Sequence, residues 1–289
     1  LPNSFGSKQV QAIPDQRFSI LFARKMNIKN IKAGTTTAFS YSWTHQYLER
    51  DQYQYTGELP DRDTTFNYTD DIYQRQARIG LVHNWNFRLS ENHTLSFNGL
   101  FNQQGESTFS ERNGQKFLEG NNIRQQATLF ESRRLLSLAL SGKHYFLADE
   151  QLKLTWQGTY GFATSEQPDL RYLRYIQPIG SDDPYTAIFS SRPSLPFRGR
   201  FFSDTEELQQ GAQADAEYTI IEGETPQNRL FIRTGVFYQG KNRSFEAREF
   251  GYVSTSSAPQ LSLPPSSIFS PDSLDVNNLT FVEQDNPAN

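Results

Sequence analysis

Four residues in a polar stretch, Arg171, Tyr172, Arg174 and Tyr175, carry the chain's most suggestive binding chemistry. Guanidinium forks pair with anionic groups, and phenol rings offer faces on which a sugar or a cation can stack. The quartet lies in a segment that reads as a loop, so an anionic or sugar-like ligand is one expectation. An extended strand with a basic, aromatic surface is the other. The acidic pairs Asp61 with Asp63, Asp70 with Asp71 and Asp182 with Asp183 present hard oxygen donors of the kind calcium takes. None has the spacing of a calcium loop, so solvated loop charge is the expected reading. His45, His83, His93 and His144 all fall on apolar-face positions towards strand ends, where an amphipathic ring meets a boundary between oil and water. A metal centre would need several ligands to converge with supporting partners. No glycine-rich phosphate cradle or nucleophile elbow is present. The expectation is a non-enzyme with no catalytic residue, metal or cofactor.

The elements that must position these residues read as strands. From Tyr73 to Leu89 the odd positions run Tyr73, Arg75, Ala77, Ile79, Leu81, His83, Trp85, Phe87 and Leu89. The even positions between them are mostly polar. After a polar turn at Ser90 to Asn92, Leu95, Phe97, Gly99 and Phe101 resume one face and Ser96, Asn98, Asn102 and Gln104 the other. A period of two marks a strand, and two such runs joined by a tight turn mark an antiparallel hairpin. Similar runs recur near 17–28, 31–47, 123–146, 152–163, 208–220 and 230–241, which makes about eight long strands. Polar connections are expected at Glu49 to Asp70, Phe109 to Asn122 and Gln167 to Asp204, with another loop after Ser254. Short turns near 29, 91, 149 and 224 alternate with these long connections.

Composition narrows the class. The chain has 289 residues, a net charge of −4, 36% hydrophobic and 14% aromatic residues, with 23 Phe and 14 Tyr. No run approaches the ~18 apolar residues of a membrane-spanning helix. A barrel strand hides its lipid face at every second residue, so low mean hydropathy does not argue against one. Zero Cys excludes a disulfide framework and thiolate metal sites. The near-neutral charge gives no reason to expect nucleic acid. The opening LPNSFGSKQV has no signal-peptide pattern, and both ends read as cut.

The fold class expected is therefore all-β: a transmembrane antiparallel β-barrel, with residues 1–289 forming one partial barrel domain. Short turns then lie on the periplasmic side and long loops outside. Arg78, Arg88, Lys153, Asp215, Glu217, Arg233 and Lys241 would face inward. Eight strands alone make a barrel whose interior is just filled by side chains. So many charges call for a wide, wet lumen and a larger barrel.

The phrases PDQRFSILFARKM, ENHTLSFNGLFNQQGE, LFESRRLLSLALSGKHYF and PDLRYLRYIQPIGSDDPYTA resemble the barrel domain of TonB-dependent outer-membrane receptors of the Bacteroidetes type. The resemblance extends from about Pro14 to Tyr252. It implies a 22-stranded barrel preceded by a regulatory domain and a plug, in a bacterial outer membrane. It also implies uptake of a nutrient ligand energised through TonB. Partners implied are outer-membrane lipid, the receptor's own plug, TonB, the imported ligand and a surface lipoprotein in some receptors. The plug, the TonB-contacting segment and the terminal strands have no counterpart here, so no energy-coupling residue carries over. A passive porin shares the wall chemistry, and a secreted soluble β-rich binding module is a third class.

Overall fold

The computed structural model of the chain describes residues 5, 10–57, 63–147, 151–189, 195, 199–221, 230–254, 262–270 and 279–284. These form one antiparallel sheet and little else. Its strands are β1 (Gln16–Ile28), β2 (Ile31–Thr56), β3 (Asp63–Arg88), β4 (His93–Lys116), β5 (Asn121–Phe146), β6 (Leu152–Pro178), β7 (Thr186–Ala187), β8 (Gly199–Ile221), β9 (Leu230–Ser254) and β10 (Leu279–Glu283). A 3-10 turn at Phe117–Glu119 and a one-turn helix, α1 (Pro265–Ile268), interrupt it. Long strands that follow one another in sequence pair with one another, and β7 attaches to β6. The sheet is open, with β1 at one edge and β9 and β10 at the other.

Apart from β1, with 13 residues, the long strands run 23 to 27 residues. This corrects the expected connections. β2 continues to Thr56 and β3 begins at Asp63, so most of Glu49 to Asp70 is strand. β4 reaches Lys116 and β5 starts at Asn121; β6 runs on to Pro178 and β8 starts at Gly199. The tail after Ser254 returns as β10, which pairs with the end of β9. The physical reason is that backbone pairing needs only N–H and C=O groups. Hydropathy alternates only where one face is continuously apolar, and past that section the belt face turns charged over β2 to β4, with Glu49, Asp71 and Glu111 in one row. Asp61 and the short turns near 149 and 224 lie outside the described residues.

Opposed residues in an antiparallel pair share a face. Ile20, Phe39, Leu81, Phe101, Leu136, Phe162 and Leu208 form one row across seven strands. The other face answers with rows such as Arg17, Ser42, Arg78, Gln104, Arg133, Ser165 and Thr205. Among the described residues no second layer covers the apolar rows: Ile20 is 58% exposed, Leu140 47% and Val236 70%. This uncovered belt is the sheet's main chemical feature.

From β3 onwards the hairpins are also staggered in one direction. The row through Arg88, Thr94, Lys143, Thr155 and Asp215 meets β3 at its last residue. It meets β5 three residues before its end at Phe146, and β8 six before its end at Ile221. From the β3–β4 hairpin to the β8–β9 hairpin each one thus steps along its neighbour by three residues.

Gly114, opposite Tyr68 and Ile123, has φ +155. A Cβ there would sit 2.1 Å from the Asn67 carbonyl oxygen and 2.8 Å from Tyr68 Cα. Gly114→Ala is expected to cost about 1–3 kcal/mol locally. Hydrogen exchange in the full protein should quicken over residues 63–72 and 110–116 and stay unchanged around Leu81 and Phe101.

Candidate functional site

A bulge in β6 decides where the basic–aromatic quartet goes. Pro168 has no N–H to give, and strands tolerate proline at bulges. Between Gln167 and Leu170 the register shifts against β8, and β5 shifts at the same level. One extra residue in β6 reverses the parity of all that follows. Arg171, Leu173 and Tyr175 therefore stand on the face that carries the apolar belt, and Tyr172 and Arg174 on the polar face. The four residues are on a strand and not in a loop, and the structure does not bring them together as one site.

On the belt face, beyond the belt itself, Asp169 from the bulge ties two strands. Arg171 donates to Asp169 Oδ2 from Nε at 2.7 Å, and Arg200 donates from Nε and Nη2 at 2.7 and 2.6 Å. Arg171 and Arg200 are directly opposed across β6 and β8, so this carboxylate also relieves their repulsion. Burial alone would raise the Asp169 carboxyl, but the bonds from Arg200 and Arg171 hold it below its ordinary range. Beside it lies the one packed core among the described residues. Phe5, Leu173, Tyr175, Ala187, Tyr252, Ile268 and Phe269 are all buried there. Tyr175 donates its hydroxyl to the Leu263 carbonyl at 3.0 Å, and burial pushes its pKa up. Tyr175 thus holds the segment at Leu263 against the end of β6, and the Arg171 guanidinium lies 5.8 Å over the Phe5 ring.

The polar face at the same level builds a second cluster. Arg50, Asp70, Arg112, Gln125 and Arg174 are successive partners across β2 to β6. Asp70, 3% exposed, accepts from Arg50 Nη2 at 2.8 Å, from Arg112 at 2.6 and 2.9 Å, and from Gln52 at 3.1 Å. Arg174 donates to Gln125 Oε1 at 2.8 Å. The Arg112 guanidinium lies 4.8 Å over the Tyr68 ring, which stacks on Phe66 at 4.4 Å. Burial would raise the Asp70 carboxyl, yet the bonds from Arg112 and Arg50 win and keep it low. Such a guanidinium and phenol surface can pair with anions and stack on planar or sugar rings. Of the expected quartet, Arg174 and Tyr172 share this face.

Comparison with protein-family models, with curated proteins and with solved structures finds no match for this chain. What the site can do is therefore argued from its geometry.

Alternation also separates the acidic pair. Asp70 points to the arginines, whereas Asp71, on the other face, accepts from the Tyr47 hydroxyl at 2.6 Å. Two carboxylates on opposite faces cannot close on one cation. Asp183 accepts from Ser181 Oγ at 2.6 Å, and no group of three His, Asp or Glu converges among the described residues. Sequence reading missed Arg112 because its partner lies 42 residues away; only the register reveals the pairing.

Asp70→Asn should loosen the ends of β3 and β4 by about 3 kcal/mol, since it leaves Arg112 facing a neutral group. The wild-type contribution is complete above the ordinary carboxylate range and lost as pH falls through the lowered folded pKa. Amide hydrogen exchange over residues 110–116, corrected for the intrinsic pH dependence of exchange, should show protection at neutral pH and its loss in acid. The Asp70→Asn protein should lack that pH-dependent step.

Proposed function

We propose that this chain is a section of the wall of a transmembrane β-barrel in a bacterial outer membrane, within a receptor of the TonB-dependent kind. The observation that carries this reading is the uncovered belt of large apolar side chains on one face of a single-layer sheet. Each such side chain gains about 1.5–3 kcal/mol when removed from water. Nothing in the described chain performs that removal, whereas acyl chains would do so for every strand at once.

Three further features agree. The belt is bordered by aromatic rows: Tyr47, Tyr73 and Phe109 at one margin, with centroids 5.1 and 6.3 Å apart, and Trp85 stacked on Phe87 at the other. Tyr73 to Trp85 spans twelve residues, about 40 Å of strand, which at a tilt of ~45° crosses about 28 Å. That is close to the thickness of a hydrocarbon core. The stagger supplies the shear of a closed barrel, and the open edges call for further strands. Belt-face residues above Tyr47 and Tyr73 turn charged, with Glu49, Asp71 and Glu111 in one row, as expected outside a membrane.

In this reading β2 to β6 and β8 to β9 extend past the outer leaflet as a collar. Its lumenal side carries the Tyr68, Arg112, Arg174 and Tyr172 surface and meets the imported ligand. Its outer side carries the small core around Ile268. The plug, TonB contact and remaining strands belong to the rest of the receptor, and a surface lipoprotein would sit on the collar. The resemblance of the quoted phrases favours active import over passive passage.

Leu138, paired with Gly99 and Tyr160, stands at mid-belt; Gln157, paired with Ser141 and Gln213, faces the other way. In the full-length protein Leu138→Arg should impair assembly by about 2–4 kcal/mol, and Gln157→Arg should be tolerated. Heat-modifiable mobility of the outer-membrane fraction measures both. Equal tolerance, or a wild-type protein that stays monodisperse without detergent, would sink the reading.

A further inference from the structure

On the polar face of the collar two rows run side by side over β2 to β6. The first is the row of guanidiniums, carboxylate and amide that runs from Arg50 to Arg174. The second, one step nearer the membrane on the same face, is Leu48, Ile72, Ser110, Ala127 and Tyr172. Four of its five members are apolar or aromatic, and Leu48 is 46% exposed. Ser110 and Ala127 are short, so this row forms a shallow trough between Ile72 and Tyr172. A polar lumen has no need of such a strip for its own stability.

The guanidinium row keeps an excess of positive charge. Asp70 answers Arg50 and Arg112 together, and Glu119 answers Lys116. Arg174 donates to the neutral Gln125. Four cations at this level thus stand against two carboxylates among the described residues. Burial holds the Arg174 guanidinium below its ordinary pKa, and Glu119, already engaged by Lys116, does not offset that. A partly dehydrated excess of this kind is relieved by an anion brought from outside.

The two rows together narrow the ligand. They lie two residues apart along the strands, about 7 Å, and extend over four strand spacings, about 19 Å. A lone phosphate spans neither distance. A ligand that meets both rows carries anionic groups along one edge and weakly polar faces beside them. A sugar ring offers its C–H face to a phenol such as Tyr172 and its hydroxyls to Gln125 and Ser110. A carboxylate or sulfate on that ring meets the guanidinium forks. An acidic peptide would add backbone amides that need partners, and the backbone groups of these strands are already spent in the ladder.

We infer that the ligand taken up on this face is an acidic saccharide chain, bearing carboxylate or sulfate groups and laid across β2 to β6. Its anionic groups meet Arg112 and Arg174, and one of its rings stacks on Tyr172. This rests on the reading of the polar face as the lumenal side of a receptor, and adds to it a selection by charge. A neutral chain of the same rings lacks the groups that balance the row. Asp70 keeps Arg50 and Arg112 tied to β3, so the strands stay locked while the ligand comes and goes.

Calorimetric titration of the detergent-solubilised full-length protein tests this. The acidic probes are hexasaccharides of galacturonate, of mannuronate and of a sulfated galactan. Carboxyl-reduced galacturonate and maltohexaose are the neutral counterparts, and polyglutamate of matching length is the acidic peptide. At least one acidic saccharide should bind, and which arm responds tells carboxylate from sulfate. The neutral chains should bind at least tenfold more weakly, and added salt should weaken the acidic one. Arg174→Gln should cost roughly tenfold in affinity and reduce the salt dependence. Tyr172→Leu should weaken binding several-fold, whereas Tyr172→Phe keeps the ring and should bind as the wild type does. Unchanged heat-modifiable mobility identifies the folded variants, and the Tyr172 pair decides the matter if Arg174→Gln misfolds. Neutral chains that bind as tightly, polyglutamate that binds more tightly, or acidic saccharides that do not bind or ignore both residues overturn the proposal. Failure of the membrane reading would show as a wild type that stays monodisperse without detergent, whichever saccharides it binds.

Discussion

The ladder of backbone hydrogen bonds is the constraint from which the rest of this structure follows. A one-residue slip in any pairing would send a whole strand's apolar set to the opposite face. Register is kept without irregularity through every belt row from β1 to β9. The shifts fall elsewhere: at Gln54 and Tyr55, between Thr128 and Ser132, between Gln167 and Leu170, and at Thr219 beside the turn. Those at Tyr55 and Thr219 lie near strand ends, and those within β5 and β6 lie beyond the belt. Parity is held where an error would place charge among greasy side chains, and released where it would not.

The same division explains what could be read from the residues. Around Leu81, Phe101 and Leu138 one face is apolar, so strands, turns and facing are legible as a period of two. At Arg50, Asp70 and Arg112 both faces are polar, and the hydropathy signal vanishes although the ladder continues. Those segments therefore read as loops. Pro168 could have been taken as the bulge signal, because proline in a long strand demands one. Without the register, however, nothing reveals that the bulge turns Arg171 and Tyr175 away from Tyr172 and Arg174.

Charge is handled differently at the two ends of the sheet. At the extended ends each buried carboxylate is shared by two guanidiniums: Asp70 by Arg50 and Arg112, Asp169 by Arg171 and Arg200. Removing a carboxylate there leaves arginines uncompensated in a partly dehydrated place, so these groups lock strand to strand. At the short-turn end Lys25, Lys32 and Lys143 stay hydrated. Exposed charges contribute little to holding their own fold.

The belt must also accommodate polar atoms, and its tryptophans show how. An indole N–H facing hydrocarbon without an acceptor costs free energy, so a buried tryptophan needs a partner. Trp43 donates to His45 Nε2 at 3.3 Å, Trp85 to His83 Nε2 at 2.7 Å and Trp156 to His144 Nε2 at 3.1 Å. These are all three tryptophans of the chain. In two pairs the histidine lies two residues away on the same strand; in the third it comes from the neighbouring strand. Accepting through Nε2 leaves the ring proton on Nδ1, and His83 directs that nitrogen to Thr37 Oγ1 at 2.8 Å. His144 turns its Nδ1 to His93 Nδ1 at 3.2 Å. The lone pairs that a metal ion would seek are thereby engaged by indole. His45, His83 and His144 are best understood as acceptors that let tryptophan sit at the margin of the belt, and His93 supports His144.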